Sequence, residues 1–323
     1  MVKTPTFDSV SQDLVRVEQK MRQALETSNK YLTDILFYIL DSGGKRIRPA
    51  LALLATKFGT VNPAEKAIAL AAAIEMLHTA TLVHDDLIDN SLLRRGKTTI
   101  NAHWNSGATV LAGDLMFAQA AALAAETQHV RVISLFANTL GIICRGELAQ
   151  LFAPPWNEQN RTHYYDRIYS KTASLLETAA QSGAILASLP EDQIASLREY
   201  GRNLGMAFQL IDDVLDFVGD EHVLGKPVGS DLRQGTVTLP AMYFVQQNPD
   251  DELMLRVLNR QEKDPDAIAE VVTRIAQSEA IQTTVAEARE FIRQGKAALH
   301  NLPDHPSKDA LLSIADFVVE REL

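Results

Sequence analysis

The sequence predicts an all-α fold formed by a single domain over residues 1–323. Hydrophobic residues make up 46% of the chain, with only 16 glycines and 12 prolines, a balance that favours helices over strands. Alanine, the strongest helix former, is concentrated in residues 67–73 and 118–125. Neither a solenoid-type repeat nor a low-complexity linker divides the sequence. One compact helical domain is therefore the simplest interpretation.

Composition argues against several classes of protein. The net charge of −10 is unfavourable for a nucleic-acid partner, which would require a basic surface. Cys144 is the single cysteine, so an internal disulfide and a thiolate metal cluster are excluded. Residues 1–11 lack the apolar segment of a signal peptide, and no uncharged apolar run reaches 18 residues. We therefore expect a cytoplasmic protein without a membrane-spanning helix.

The first helix and the basic loop after it come next in chain order. Apolar residues spaced by threes and fours predict an amphipathic helix over residues 8–40. The loop at 43–49 then combines two glycines with Lys45, Arg46 and Arg48 before another apolar helix begins at Ala50. Glycine lets backbone N–H groups approach an anion, and a helix N-terminus favours negative charge. The loop is either a diphosphate clamp or an ordinary solvated basic loop.

An acidic motif ends the helix predicted over residues 66–90. It contains Asp85, Asp86 and Asp89 in the pattern DDxxD. Each helical residue turns about 100°, so the first and fifth positions lie only about 40° apart on one face. Carboxylates about 5.5 Å apart repel each other by roughly 3 kcal/mol at an effective dielectric constant of 20. Such a group calls for cations, and an all-oxygen set of ligands suits Mg²⁺.

The same pattern recurs at Asp212, Asp213 and Asp216, within the helix predicted over residues 191–220. Gln209 shares their face, because positions i, i+3, i+4 and i+7 align on a helix. A single DDxxD could be a solvated acidic face. Two copies, each inside an apolar helix, favour a metal–diphosphate site.

Basic and polar residues near these motifs are candidate diphosphate contacts. His78 lies seven residues before Asp85 and therefore on nearly the same helical face, although a satisfied core histidine is an equal alternative. His84, a quarter-turn away, is interpreted as structural. Arginine side chains bind phosphate oxygens in pairs of hydrogen bonds. The remaining candidates are Arg94 and Arg95, Lys171 and Thr172, and Lys226.

The other segments are predicted to be scaffold. Residues 106–125 and 129–151 form two helices, and Pro154-Pro155 breaks the chain before a helix that restarts near Thr162. From Leu239 to the end, the pattern is helical, with polar connections at 248–251 and 302–308.

These motifs together resemble the trans-polyprenyl diphosphate synthases, in particular the long-chain members. The resemblance runs almost end to end and comprises GGKRIRP at 43–49, HDDLID at 84–89, RRG at 94–96, LAGD at 111–114, KTA at 171–173, FQLIDDVLD at 208–216 and GKPVGSDLRQG at 225–235.

The resemblance implies a helical bundle around a deep central cavity (the isoprenoid synthase fold), usually as a homodimer, and three Mg²⁺ ions with substrate bound. The implied metal ligands are Asp85, Asp89 and Asp212, supported by Asp86, Asp213 and Asp216. The allylic diphosphate would contact Arg94, Lys171, Thr172, Gln209 and Lys226. Isopentenyl diphosphate would contact Lys45, Arg48, His78 and Arg95. Membrane contact would be at most transient, during product release.

Product length is expected to depend on residues below Asp85. Thr81 lies one helical turn down on the same side, and Leu77 lies another turn below. In the family, bulky aromatic residues four and five positions before the motif stop growth near fifteen carbons. The residues here, Thr81 and Ala80, are small. A long product of about C30 to C50 is therefore expected, with a shorter geranylgeranyl product as the alternative.

The alternatives from other classes are a terpene cyclase or head-to-head condensing enzyme, a non-catalytic subunit of a heteromeric synthase, and a metal-storage bundle. The second complete DDxxD and the basic loop argue against a cyclase. Retention of all six aspartates argues against a non-catalytic subunit. The Glu-x-x-His pairs of ferritin-like bundles are absent from the sequence.

Overall fold

The fold, in a computed structural model, is described for residues 7–60, 63–94, 96–153, 156, 160–219 and 227–320. In chain order its α-helices are α1 (Ser11–Leu25), α2 (Lys30–Leu40), α3 (Ile47–Thr56), α4 (Ala64–Ile88), α5 (Ile100–His103), α6 (Ser106–Glu126), α7 (Val130–Leu151), α8 (Arg161–Ile168), α9 (Ser174–Leu186), α10 (Glu191–Val218), α11 (Ser230–Arg233), α12 (Leu239–Gln247), α13 (Glu252–Leu258), α14 (Pro265–Ala276), α15 (Glu279–Ala298) and α16 (Pro306–Glu320). Short 3₁₀ turns span Asp8–Val10 and Leu299–Asn301.

The bundle is organised around two long helices, α4 and α10. α4 has its most extensive contacts with α6, and α10 with α15 and α9. Leu70, Ile74 and Leu77 of α4 are fully buried, as are Tyr200 and Leu210 of α10. The all-α prediction is confirmed, and the two acidic motifs stand at the carboxyl ends of these central helices.

Two local features differ from the sequence expectation. The helix expected over residues 8–40 is two helices, because the chain leaves α1 at Glu26 in an extended conformation and Asn29 caps α2 by accepting a hydrogen bond from the Leu32 N–H. Asparagine favours such caps over helix interiors. A two-stranded antiparallel hairpin, β1 (Leu93–Arg94) and β2 (Lys97–Thr98), follows the first acidic motif and was not anticipated.

Within the described residues, three helices are long and apolar enough to cross a membrane, judged by length and composition alone. They are α4, α6 and α7. The sequence criterion of an uncharged run did not select them, because each of these helices carries a few charged residues. The most apolar window of α4 is 72% buried within the chain, whereas those of α6 and α7 are 39% and 22% buried. α4 is therefore core, while α6 and α7 present apolar surface.

Candidate active site

The first acidic motif forms one side of the site, at the carboxyl end of α4. The Asp85 side chain is only 14% exposed, and its Oδ2 lies 3.9 Å from Nζ of Lys171. Burial raises the pKa of Asp85 from its ordinary 3.8 to about 6. The charges of Lys171 and Arg94 oppose this shift, and those of Glu147 and Asp89 add to it. Asp85 is thus a carboxylate whose negative charge calls for a further cation.

Asp86 is bound by the hairpin. Its Oδ1 accepts a hydrogen bond of 2.5 Å from Nε of Arg94, and both residues line a small cavity of about 40 Å³. Burial raises the pKa of Asp86, while the charge of Arg94 lowers it. Asp86 therefore holds Arg94 beside the motif. Arg95 lies outside the described residues.

Asp89 ends α4 and links the two acidic motifs. Burial raises its pKa, and the charge of Asp231, just beyond the second motif, raises it as well. Asp231 also raises the pKa of Asp213. The backbone N–H of Asp231 donates to Oδ2 of Asp216 at 3.1 Å. Asp231, which follows the second motif in the chain, thus lies near members of both acidic motifs.

Lys171 and Thr172 stand on a turn of π-helix, Tyr169–Ala173, between α8 and α9. Such turns insert one residue into a helix and occur often at functional sites. Nζ of Lys171 lies 3.0 Å from Oε1 of Glu147. Burial lowers the pKa of Lys171, but the charges of Asp85 and Glu147 outweigh burial and raise it. Lys171 therefore stays protonated.

Glu147 of α7 is a site residue that the sequence analysis did not identify as a candidate. It reaches Lys171 because Gly146 lets α7 approach the π-helical turn, where a Cβ at Gly146 would overlap Cβ of Ser170. The adjacent pair Gly146-Glu147 in an apolar helix was the available signal. Its meaning depended on the unanticipated π-helical turn.

The second motif is tied to the same turn by hydrogen bonds. Oγ1 of Thr172 donates to Oε1 of Gln209 at 2.8 Å, and Nε2 of Gln209 donates to Oδ1 of Asp213 at 2.8 Å. The hydroxyl of Tyr164 donates to the other oxygen of Asp213 at 2.7 Å. Asp212 is half-buried, and Asp216 is buried. Through Lys171 and Thr172, the two motifs border one site.

A separate basic pocket of about 400 Å³ is lined in part by α4 and α10, the two helices that carry the acidic motifs. It brings together Lys45, Arg48 and His78, which the sequence had associated only through the family resemblance. Its complete lining is Gly44, Lys45, Arg46, Ile47, Arg48, Glu75, His78, Leu176 and Phe208. Phe208, at the start of FQLIDDVLD, was not anticipated as part of this pocket.

The third cation of the basic loop, Arg46, holds the loop in place. It adopts a left-handed backbone conformation with φ of 52°. Nη1 of Arg46 donates to Oε1 of the buried Glu75 at 2.7 Å, and its Nε donates to Glu18 at 3.1 Å. Arg46 is thus committed to ion pairs that fix the loop. Nζ of Lys45 lies 4.8 Å from the ring centre of Phe317 in α16.

The residues expected to limit product length have different exposures. Leu77 and Ala80 are fully buried, and Thr81 is half-buried, with its Oγ1 donating to the carbonyl oxygen of His78 at 2.7 Å. Thr81 is therefore the more accessible of the two small positions.

His84 is packed between α4 and α6. Its ring lies 5.2 Å from that of Phe117, and its Nε2 is 3.2 Å from the carbonyl oxygen of Val110. A Cβ at Gly113 would overlap the imidazole. This supports the structural interpretation of His84 and explains the glycine of the LAGD motif.

We expect Gly113→Ala to lower the free energy of unfolding by about 1–3 kcal/mol, because the added methyl group displaces the His84 ring. Urea denaturation measures this change. Gly107→Ala in the exposed first turn of α6 serves as the control and should be neutral or stabilising. In a His84→Ala background, Gly113→Ala should no longer destabilise. A loss that persists there would contradict the packing explanation.

The donors present fit a divalent cation that is shared with a substrate. The candidate ligands are all carboxylate oxygens, and both motifs stand in the last turns of helices, where the helix dipole favours positive charge. Across the described part of the chain, no three His, Cys, Asp or Glu side chains are close enough to hold an ion by themselves. Mg²⁺ commonly uses one or two carboxylates together with phosphate oxygens and water. Substrate diphosphate would complete such a site. Lys226 lies outside the described residues.

Comparison with known proteins identifies close relatives over the whole chain. The polyprenyl synthetase family model matches residues 29–275. Octaprenyl diphosphate synthase of Haemophilus influenzae is 36% identical over 310 residues, covering 96% of this chain and 94% of that protein. Heptaprenyl diphosphate synthase component 2 of Geobacillus stearothermophilus is 35% identical over 316 residues, covering 98% of each chain.

Solved structures also match this chain over nearly its whole length. A polyprenyl synthase from Caulobacter crescentus, complexed with calcium and isoprenyl diphosphate, matches with a TM-score of 0.92 and 32% identity over 99% of both chains. A geranylgeranyl pyrophosphate synthetase from Pyrococcus horikoshii matches with a TM-score of 0.87 and 31% identity over 98% of both chains.

Proposed function

Because this chain belongs to the polyprenyl synthetase family and is a chain-elongating prenyltransferase, we propose that its cleft condenses isopentenyl diphosphate with an allylic diphosphate into a product of about C30 to C50. The observation that carries the proposal is the meeting of both acidic motifs at Lys171 and Thr172, next to a second, basic pocket. One site suits a metal-bound diphosphate, and the other suits a diphosphate bound by cationic side chains.

The allylic diphosphate would occupy the acidic site. Asp85, Asp89 and Asp212 would hold Mg²⁺, three ions in all, together with the diphosphate oxygens. Lys171 and Arg94 would bind the same oxygens directly, which requires Arg94 to exchange Asp86 for substrate. Thr172, Gln209, Asp216 and Lys226 complete the set proposed for this site.

Isopentenyl diphosphate would occupy the basic pocket. Lys45, Arg48 and His78 line it, and Arg95 is proposed as a fourth contact. Glu75 also lines the pocket, but its ion pair with Arg46 neutralises it, so the pocket retains a positive balance. The cations there would orient the double bond of isopentenyl diphosphate toward the allylic carbon.

The reaction follows from this placement. The allylic C–O bond breaks, and its electron pair leaves with pyrophosphate. Bound Mg²⁺ would supply charge neutralisation to that leaving group. Lys171 and Arg94 add positive charge where negative charge accumulates, which is the effect of preorganised electrostatics. The double bond of isopentenyl diphosphate attacks the allylic cation, forming a C–C bond. Loss of a proton to pyrophosphate then leaves a new allylic diphosphate.

Two alternatives are favoured by specific observations. The likeness to a geranylgeranyl synthase structure favours a shorter product. The likeness to component 2 of a heptaprenyl synthase favours a subunit that requires a different partner. The purified chain, incubated alone with Mg²⁺, labelled isopentenyl diphosphate and allylic primers of several lengths, distinguishes them. Long products from the chain alone support the proposal. Products that stop at C15 or C20, or activity only after a partner is added, contradict it.

Metal affinity should depend on pH through Asp85. A carboxyl group with a pKa of about 6 must lose its proton to bind a cation, so affinity for the metal alone should rise about tenfold between pH 5 and 7. Isothermal titration measures it. Glu147→Gln removes a charge that raises this pKa, and it should move the transition to lower pH. A transition that stays in place would contradict the assignment to Asp85.

The same shift fixes the sign of the stability change. The pKa of Asp85 is higher in the folded state than in the unfolded state, so protonation of this group stabilises the fold. This contribution to the free energy of unfolding is fully present below pH 3.8 and is lost as the pH rises through about 6. Metal-free protein should therefore become less stable over this range, and bound metal should offset the loss.

We also propose a homodimer formed through α6 and α7. Their exposed apolar side chains include Leu111 at 70%, Val130 at 79% and Leu148 at 54% exposure. A second copy of the same surface would cover them. Leu111→Asp combined with Leu148→Asp should convert a dimer to a monomer in light scattering, whereas Val15→Asp, on α1, should not. An unchanged mass would contradict this interface.

The cytoplasm is the proposed location because both substrates are water-soluble diphosphates, and cell fractionation tests it.

A further inference from the structure

A buried tyrosine outside the recognised motifs contacts the second acidic motif. Tyr164 of α8 is 1% exposed, and its hydroxyl donates to Oδ2 of Asp213 at 2.7 Å. Asp213 is itself 2% exposed. This hydrogen bond joins α8 to α10 beneath the cleft.

The other oxygen of Asp213 continues the contact to the cleft. It accepts a hydrogen bond from Nε2 of Gln209, and Oε1 of Gln209 accepts one from Thr172. Each atom of the Gln209 amide thus has a defined partner, and the amide has one preferred orientation. Thr172 stands next to Lys171 on the π-helical turn. The hydrogen bonds connect Tyr164, Asp213, Gln209 and Thr172 in that order.

Tyr164 is held by its own neighbours. The guanidinium of Arg167 lies 5.3 Å from the centre of its ring, and Nη2 of Arg167 donates to the carbonyl oxygen of Val237 at 2.6 Å. The ring of Tyr165 packs edge-on at 5.4 Å. A side chain fixed on several sides provides a rigid support for Asp213.

Building on the proposed function, we propose that Tyr164 and Asp213 are positioning residues that orient Gln209 and Thr172 toward the allylic diphosphate. Both oxygens of Asp213 already accept hydrogen bonds from the protein, so Asp213 acts as an anchor below the metal site. Asp212, the half-buried member of the second motif, is then the one that faces the proposed cations. Tyr164 does not touch substrate, and its effect passes through Asp213 and Gln209.

Tyr164→Phe tests the proposal, with Tyr200→Phe as a matched control. Tyr200 is also fully buried, and its hydroxyl donates to the carbonyl oxygen of Leu311 at 2.6 Å, away from the cleft. Each variant loses one buried hydrogen bond, so both should melt at temperatures lower by roughly 2–4 °C. Only Tyr164→Phe should reduce kcat, by about tenfold or more, because misplaced contacts weaken alignment. Its KM for isopentenyl diphosphate should stay unchanged.

Binding gives a readout that is independent of turnover. In calorimetric titrations with Mg²⁺ and inorganic pyrophosphate, Tyr164→Phe should weaken affinity about tenfold, whereas Tyr200→Phe should match the wild type. Equal affinities and equal kcat for the two variants would overturn the proposal and leave Tyr164 a structural residue. Wild-type protein that binds pyrophosphate but does not elongate primers would contradict the proposed function. The pyrophosphate affinities of the two variants would still test the positioning role of Tyr164.

A double substitution tests the route of the effect. If Tyr164 acts through Gln209, Tyr164→Phe should have little further effect on kcat and pyrophosphate affinity in a Gln209→Ala background. If the losses of kcat and of affinity in the double variant were the product of those in the two single variants, Tyr164 would not act through Gln209.

Discussion

Replacing Asp85 with alanine should reduce kcat/KM about 10³-fold or more, because it removes a carboxylate that is proposed to hold Mg²⁺ at the leaving group. Asp212→Ala on the opposite helix should cause a loss of similar size. Steady-state assays with labelled isopentenyl diphosphate measure both. Asp304→Ala is the matched control, since its carboxylate is fully exposed away from the site and the substitution removes the same charge. Asp304→Ala should retain nearly full activity.

Stability distinguishes loss of a ligand from loss of the fold. Burial raises the pKa of Asp85, and the charges of Glu147 and Asp89 add to the rise, so the ionised side chain is unfavourable in the metal-free protein. Asp85→Ala should therefore melt no lower than the wild type in the absence of metal. Inactivity accompanied by a large fall in melting temperature would contradict the metal-ligand role. So would nearly full activity in both aspartate variants.

Thr81→Phe should shorten the product from about C30–C50 to about C15–C20, because an aromatic ring one helical turn below Asp85 blocks the growing chain. Chromatography of the dephosphorylated products measures the chain length. Thr79→Phe is the matched control, because Thr79 faces the small cavity beside Asp86 and Arg94. Thr79→Phe should leave the length distribution unchanged.

Ala80→Phe should also shorten the product, with an added cost in stability. Ala80 is fully buried, and inserting a ring into a packed core costs roughly 1–3 kcal/mol, whereas half-buried Thr81 has more room. An unchanged product length in both variants would contradict the expectation that these two positions limit product length. If Thr79→Phe also shortened the product, the effect would not depend on which face of α4 carries the ring, and the explanation would be contradicted.

The local sequence was sufficient for the long helices and for the acidic faces on them. Ala-rich, proline-free runs predict α4 and the helices near it, and helical periodicity puts Gln209 and Asp213 on one face. Predictions were weaker where two local preferences compete, as at Asn29, whose side chain caps a new helix inside an otherwise periodic segment.

The sequence by itself determined the helical class, the two acidic motifs and the basic loop, because helix periodicity and residue chemistry act over a few neighbouring residues. Only the tertiary structure decided that Lys171 faces Asp85, that Glu147 pairs with Lys171, and that Tyr164 supports Asp213. These contacts depend on a π-helical turn and on the close approach of α7 at Gly146. Both arise from packing between segments distant in sequence, which no local pattern encodes.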